Sequence, residues 1–195
     1  PNTDSNENLE VSIYSSIKTS MEYLASDDLE GRETGTVGIE KAAIYIEEYL
    51  NNSGIKPYFK TYRDTFRIND IIGYNIVGFV EGNDEVLKNE YIILGGHYDH
   101  IGKIEEVNGD KIANGANDDA SGTIAAMEFA RYFAKSKTNK RSILVTLYAA
   151  EEMGLKGSTH LAKRLKKEKF NSEQTYGGIV EEMFQIELVC SYLEL

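Results

Sequence analysis

Cysteine is almost missing from this chain: Cys190 is the single one among 195 residues. One cysteine cannot close an internal disulfide and lacks the partners of a structural cysteine zinc site, so a metal here must rest on histidine and carboxylate. Also missing is any apolar run near the roughly 20 residues that span a bilayer, and no signal peptide is read at the start. Basic residues are in deficit, 21 against 32 acidic ones, for a net charge of -11. That balance repels nucleic acid and anionic membranes, so neither is expected as a partner. What is present is ordinary for a globular protein, 41% hydrophobic and 27% charged residues, in a length suited to one core and too short for two. The expectation is a polar, flexible segment over residues 1–8 and a single domain over 9–195. No sequence feature specifies an oligomer.

Leu9, Ile13, Ile17, Met21 and Leu24 repeat at spacings of four, four, four and three, one face of an amphipathic helix. Ile39, Ala42, Ala43, Ile46 and Leu50 mark a second helix over Val37 to Leu50, with Ser53-Gly54 as its stop. Between them lies the polar loop from Leu29 to Gly35 with two glycines, for which a plain helix connection and a functional role stand equally open. Strands are expected over Tyr74 to Val80, Tyr91 to Gly95 and Ser142 to Tyr148. The last two are nearly continuous apolar runs, as for strands covered on both faces. Helices over Ser121 to Phe133 and Gly157 to Lys169 alternate with them, and Gly178 to Val189 is a further candidate strand. This alternation predicts an α/β fold with a largely parallel sheet.

Each polar cluster of chemical interest is read as lying just after the C-terminal end of a predicted strand, the edge where open α/β sheets place their ligands. His97-Tyr98-Asp99-His100 follows the second strand. His97 and Asp99 flank one residue and so share a side of an extended backbone; Asp99 is placed to accept from the imidazole and fix its tautomer. Asn117-Asp118-Asp119-Ala120-Ser121 opens a helix, where carboxylates serve as caps. Asp118 and Asp119 point in different directions, so one can cap while the other reaches the strand ends as a metal bridge. Glu151-Glu152 leaves the third strand, and two adjacent carboxylates there repel and pay desolvation unless a cation compensates them. One can ligate while the other takes a proton from water whose pKa zinc lowers to about 7.

Together the segments Gly95 to His100, Gly115 to Gly122 and Ala150 to Ser158 resemble the di-zinc exopeptidases of metallopeptidase family twenty-eight, which include bacterial secreted aminopeptidases and glutamate carboxypeptidase. The likeness extends upstream to Leu24 to Gly35 and covers about Met21 to Ser158. It implies a three-layer mixed, mostly parallel sheet with helices on both faces and a zinc-dependent hydrolase removing N-terminal residues from peptides. It implies His97 as ligand of one zinc, Asp118 as the bridge, Glu152 on the other zinc, Glu151 as general base, Asp99 as the partner of His97 and Asp119 as the cap. A further family carboxylate, typically in an Asn-x-Asp-Met context, corresponds best to Glu187 in Gln185-Ile186-Glu187-Leu188. The family takes a final histidine from nearer its C-terminus, and the sequence to Leu195 offers none. Two zinc ions are therefore implied for a complete member and at most one held tightly by this chain, with His100 either beside a ligand or structural and His160 at the surface. The resemblance also implies a secreted or periplasmic location. Two other readings are a binding domain that kept the scaffold without the chemistry and a glutaminyl cyclase-like acyltransferase; Glu151-Glu152 followed by Gly-Leu-Lys-Gly-Ser looks more like the peptidases.

Overall fold

In the computed structural model the described residues are 3–171, with side chains described over 12–168. Helix α1 (Thr3–Leu24) starts six residues before the first apolar position of its stripe. Helix α2 (Val37–Asn52) buries Ile39, Ala42, Ala43, Ile46 and Leu50, the set its spacing predicts, and stops where Gly54 turns with φ of 74°. A tight turn over Asp27–Arg32 links the two helices.

Strands β1 (Lys56–Pro57), β2 (Arg63–Ile68), β3 (Ile71–Val80), β4 (Tyr91–His97) and β7 (Ser142–Tyr148) form one sheet in the order β1-β3-β7-β4, with β2 also on β3. The sheet is mixed, as expected, but the parallel share is smaller than the strand-helix alternation implied. Among the described residues β4 and β7 run parallel, while β1, β2 and β7 all pair antiparallel to β3. The physical reason is connectivity: among the described residues helix α3 (Ser121–Ser136) lies in the long crossover that joins the parallel pair β4 and β7, and β2 and β3 are joined by a tight turn. An exposed hairpin, β5 (Lys103–Val107) with β6 (Asp110–Ile112), stands off the sheet on an Asn108-Gly109 turn whose two residues have φ of 54° and 90°.

Every residue of β7 is buried, because the sheet is covered on both sides. Ile143, Val145 and Leu147 pack with Ile76 and Val80 into the core built with α1, α2 and α3. Val77 and Tyr148 face the other way, against Leu161 and Leu165 of helix α4 (Lys156–Asn171). Ile46 lies at the centre of the larger core with no exposed surface. Ile46→Ala should lower unfolding free energy by about 2–5 kcal/mol in a urea titration; a loss below about 1 kcal/mol would contradict this packing.

Candidate metal centre

The parallel pairing of β4 with β7 sets His97 opposite Tyr148, so residues 97–100 and 149–152 leave the sheet side by side at its carboxyl edge. The start of α3 closes the third side. There Asp119 Oδ1 accepts from the Gly122 N–H at 3.0 Å, the cap expected of it, while its Oδ2 accepts from the His97 N–H at 3.2 Å. Thr123 Oγ1 donates to the His97 carbonyl at 2.8 Å. Helix and strand come this close because position 96 is glycine: a Cβ there would lie 2.8 Å from the Thr123 nitrogen.

His97 Nε2 lies 3.1 Å from Asp118 Oδ1 and 3.9 Å from Glu151 Oε2. Its Nδ1 faces the carbonyl oxygen of Asp99 at 3.1 Å, and the Asp99 carboxylate stands at 3.7 Å. A carbonyl only accepts, so Nδ1 carries a proton and Nε2 points into the carboxylates. Asp99 thus meets His97 on the Nδ1 side through both its backbone carbonyl and its carboxylate. Its carboxylate also accepts from the Glu151 N–H at 3.1 Å, the Glu152 N–H at 3.4 Å and Thr34 Oγ1 at 3.3 Å. Asp99 therefore joins the His97 segment to the Glu-Glu segment through its side chain. Glu152 Oε1 meets His100 Nδ1 at 2.7 Å, and His100, Asp118 and Glu152 each bring one ligand-capable atom within 4.8 Å of the others.

The electrostatics favour a cation. Burial works against charge on His97, but Asp99, Asp119 and Glu151 outweigh it and raise its pKa to about 9. The carboxyl of Glu151 is pushed up, first by burial and then, against the opposing pull of His97, by Glu152, Asp99 and Asp118. Asp119 is also raised by burial. The field that holds a proton on Nε2 would equally hold a divalent ion, and two imidazoles among carboxylates are nitrogen and oxygen donors of the kind zinc accepts. On this chemistry the residues present fit the metal. Glu187 lies outside the described residues.

Two contributors escaped the sequence reading. Arg32 is buried with 1% of its surface exposed, in the polar loop between the first two helices. Its Nε donates to the Tyr98 carbonyl at 2.8 Å, Nη1 to Asn114 at 2.6 Å and to Leu24, and Nη2 to Gly115 at 2.8 Å. Its own carbonyl accepts from the His100 N–H at 3.3 Å. Burial lowers its pKa to about 10, opposed by Asp99, Asp119 and Asp118, so the cation persists at neutral pH. Thr34 is the second: its hydroxyl accepts from the Ala150 N–H at 3.0 Å while donating to Asp99. The two glycines of this loop, Gly31 and Gly35, are a sequence signal of its close packing: a Cβ on either would lie within 2.8 Å of another atom. His160, on α4, is part-exposed as expected of a surface residue; its ring stacks on Phe66 at 5.2 Å and lies 3.3 Å from buried Asp64.

Comparison with known proteins gives a family profile, Peptidase family M28, matching residues 75–185. A probable zinc metalloprotease of Pyrenophora teres f. teres is 42% identical over 100 residues, 51% of this chain and 20% of that protein. A probable leucine aminopeptidase of Arthroderma otae is 29% identical over 167 residues, 83% of this chain and 41% of that protein. The chain therefore spans less than half the length of these curated relatives. Among solved structures, the LapA aminopeptidase of Legionella pneumophila shares the fold with a TM-score of 0.60 at 24% identity, covering 86% of this chain and 44% of that one. The glutaminyl cyclase of Fimbriiglobus ruber has a TM-score of 0.63 at 20% identity, covering 80% and 57%.

Proposed function

The chain belongs to peptidase family M28, and on that premise we propose that it carries the metal-binding part of a zinc-dependent exopeptidase that releases N-terminal residues from peptides. The observation that supports this most is the meeting of three segments at one sheet edge: His97 Nε2 faces Asp118 at 3.1 Å and Glu151 at 3.9 Å, with Glu152 beside them. His97, Asp118 and Glu152 would hold the metal, with Asp118 between the two histidines. When bound, zinc polarises a carbonyl oxygen and acidifies water.

Glu151 is the group left to move the proton. Its burial among Glu152, Asp99 and Asp118 raises its carboxyl above the usual range, which suits a base that must later return the proton to the leaving amine. Asp99 accepts from the backbone N–H of both glutamates, which anchors the Glu-Glu segment beside His97. His97 is oriented by the Asp99 carbonyl, which leaves Nε2 facing the carboxylates. The aminopeptidase reading is supported further by the probable leucine aminopeptidase among the relatives.

The test is zinc content by elemental analysis together with hydrolysis of aminoacyl p-nitroanilides. Bound zinc with release of the chromophore is the expected result. Zinc without any hydrolysis would favour a binding domain, and cyclisation of an N-terminal glutamine with ammonia release would favour the cyclase reading; absence of zinc would sink both metal readings.

A further inference from the structure

We propose that Asn75 is a positioning residue for the Glu151-Glu152 segment: one buried amide on β3 fastens both ends of residues 149–157, and Asp64 dictates which way that amide faces. The proposal rests on the zinc reading above, in which β3 has no part. Asn75 has no exposed surface, although it stands in a strand otherwise made of apolar residues and glycines. A buried amide costs stability unless its groups are paired, and an aliphatic side chain would suit such a strand better. The pairing explains why the amide is there. Nδ2 donates to the Gly157 carbonyl at 3.0 Å and to Asp64 Oδ2 at 3.0 Å, while Oδ1 accepts from the Ala149 N–H at 3.2 Å. Asp64 is fully buried, with Arg164 Nη1 at 2.6 Å and His160 Nε2 at 3.3 Å. A carbonyl and a carboxylate only accept and a backbone N–H only donates, so a single amide orientation satisfies all three contacts.

Ala149 and Gly157 are the points where the Glu-Glu segment leaves the sheet and enters the next helix. Strand β3 pairs with β7 as far as Ile76 opposite Leu147, and the next side chain along β3 is that of Asn75, which reaches the first amide beyond β7. Gly157 lies in the first turn of α4. Between these ends the chain turns on Ala150, Gly154 and Leu155, with φ of 56°, 89° and 56°. The Glu151 carbonyl accepts there from the Gly154 N–H at 2.7 Å and the Leu155 N–H at 2.9 Å. The two ends close without room for a side chain, since a Cβ at Gly157 would overlap the Ala149 carbonyl oxygen and Asn75 Oδ1. Thr34 and Asp99 take the N–H groups of residues 150–152 and so fix where the glutamates begin. Asn75 closes the base and fixes the direction in which the segment leaves β7.

Two measurements test this: amide hydrogen exchange of the metal-free protein by NMR, and zinc titration. In the unmodified protein the Ala149 amide should exchange as slowly as the amides of β7, not at the rate of an open loop. Asn75→Leu fills the volume with an apolar group and removes all three hydrogen bonds. It should speed exchange over residues 149–157 by more than about tenfold relative to β7, and weaken zinc binding by about 10- to 100-fold, the range of groups that orient a ligand. Asn75→Ala, which places no alkyl chain against Asp64, gives the same readout should the leucine variant not fold. Val80→Ala is the control for lost stability alone, at a site about 16 Å along the same strand, where buried Val80 stands opposite Ile143. It should leave the exchange ratio and the zinc affinity within about twofold, as expected of sites without shared partners. Fast exchange at Ala149 in the unmodified protein would overturn the proposal, as would a folded Asn75 variant whose exchange ratio and zinc affinity match those of Val80→Ala. Zinc bound by none of these proteins would sink the zinc reading, and the exchange ratio would then decide the role of Asn75 by itself.

Discussion

Changing Glu151 to glutamine is expected to lower kcat by about 100- to 10,000-fold and to leave the metal content unchanged. Glutamine keeps the shape of the side chain and the backbone N–H that donates to Asp99 at 3.1 Å, so the Glu-Glu segment stays where it is. What it loses is the ability to accept a proton. In free energy the expected loss is about 3–5 kcal/mol of transition-state stabilisation, at roughly 1.4 kcal/mol per tenfold. Parallel elemental analysis decides the assignment. Metal lost along with turnover would show that Glu151 is a ligand and would exchange its role with Glu152, while turnover retained within tenfold would remove it from the chemistry.

The second large effect is expected at Arg32, which touches no candidate ligand through its side chain. Its guanidinium ties together the carbonyls of Leu24, Tyr98, Asn114 and Gly115, which belong to the end of α1, the His97 segment and the loop carrying Asp118. Arg32→Met keeps the apolar stem and removes every donor. It leaves buried carbonyls unpaired and removes a buried positive charge near Asp99, Asp118 and Asp119, at a cost of about 3–5 kcal/mol of stability. Arg32→Lys should recover part of this, since an ammonium has three donors and no planar fork. A purely structural brace would change the urea midpoint alone. A positioning residue should also weaken zinc binding by about 10- to 100-fold under conditions where the variant remains folded. Unchanged zinc affinity in a folded Arg32→Met protein would reduce Arg32 to a brace.

Local periodicity located helix α2 and strand β7 closely, because each buries a face or both faces and so repeats its apolar residues at the spacing of its own geometry. Strand β2 was not read from the sequence, since Arg63, Asp64 and Arg67 break its apolar pattern; Asp64 is fully buried only because Arg164 at 2.6 Å and Asn75 at 3.0 Å arrive from elsewhere in the chain. The β5-β6 hairpin had its signal in Asn108-Gly109, which went unread.

The amino-acid sequence by itself determined which side chains would be available for chemistry. His97, Asp118, Glu151 and Glu152 stand just past strand ends or at a helix start, and this follows from local pattern alone. The tertiary structure decided how they meet. The parallel register that sets His97 opposite Tyr148, the passage of Asp118 between two imidazoles, the turning of the Asp99 carboxylate toward the Glu-Glu amides and the reach of Arg32 across to Asn114 and Gly115 are all contacts between residues distant in the chain. Periodicity reports how a segment buries its own face. It carries no information on which other segment supplies the opposing atoms, so the partners of His100 and Arg32 became visible only once the sheet had brought those segments together.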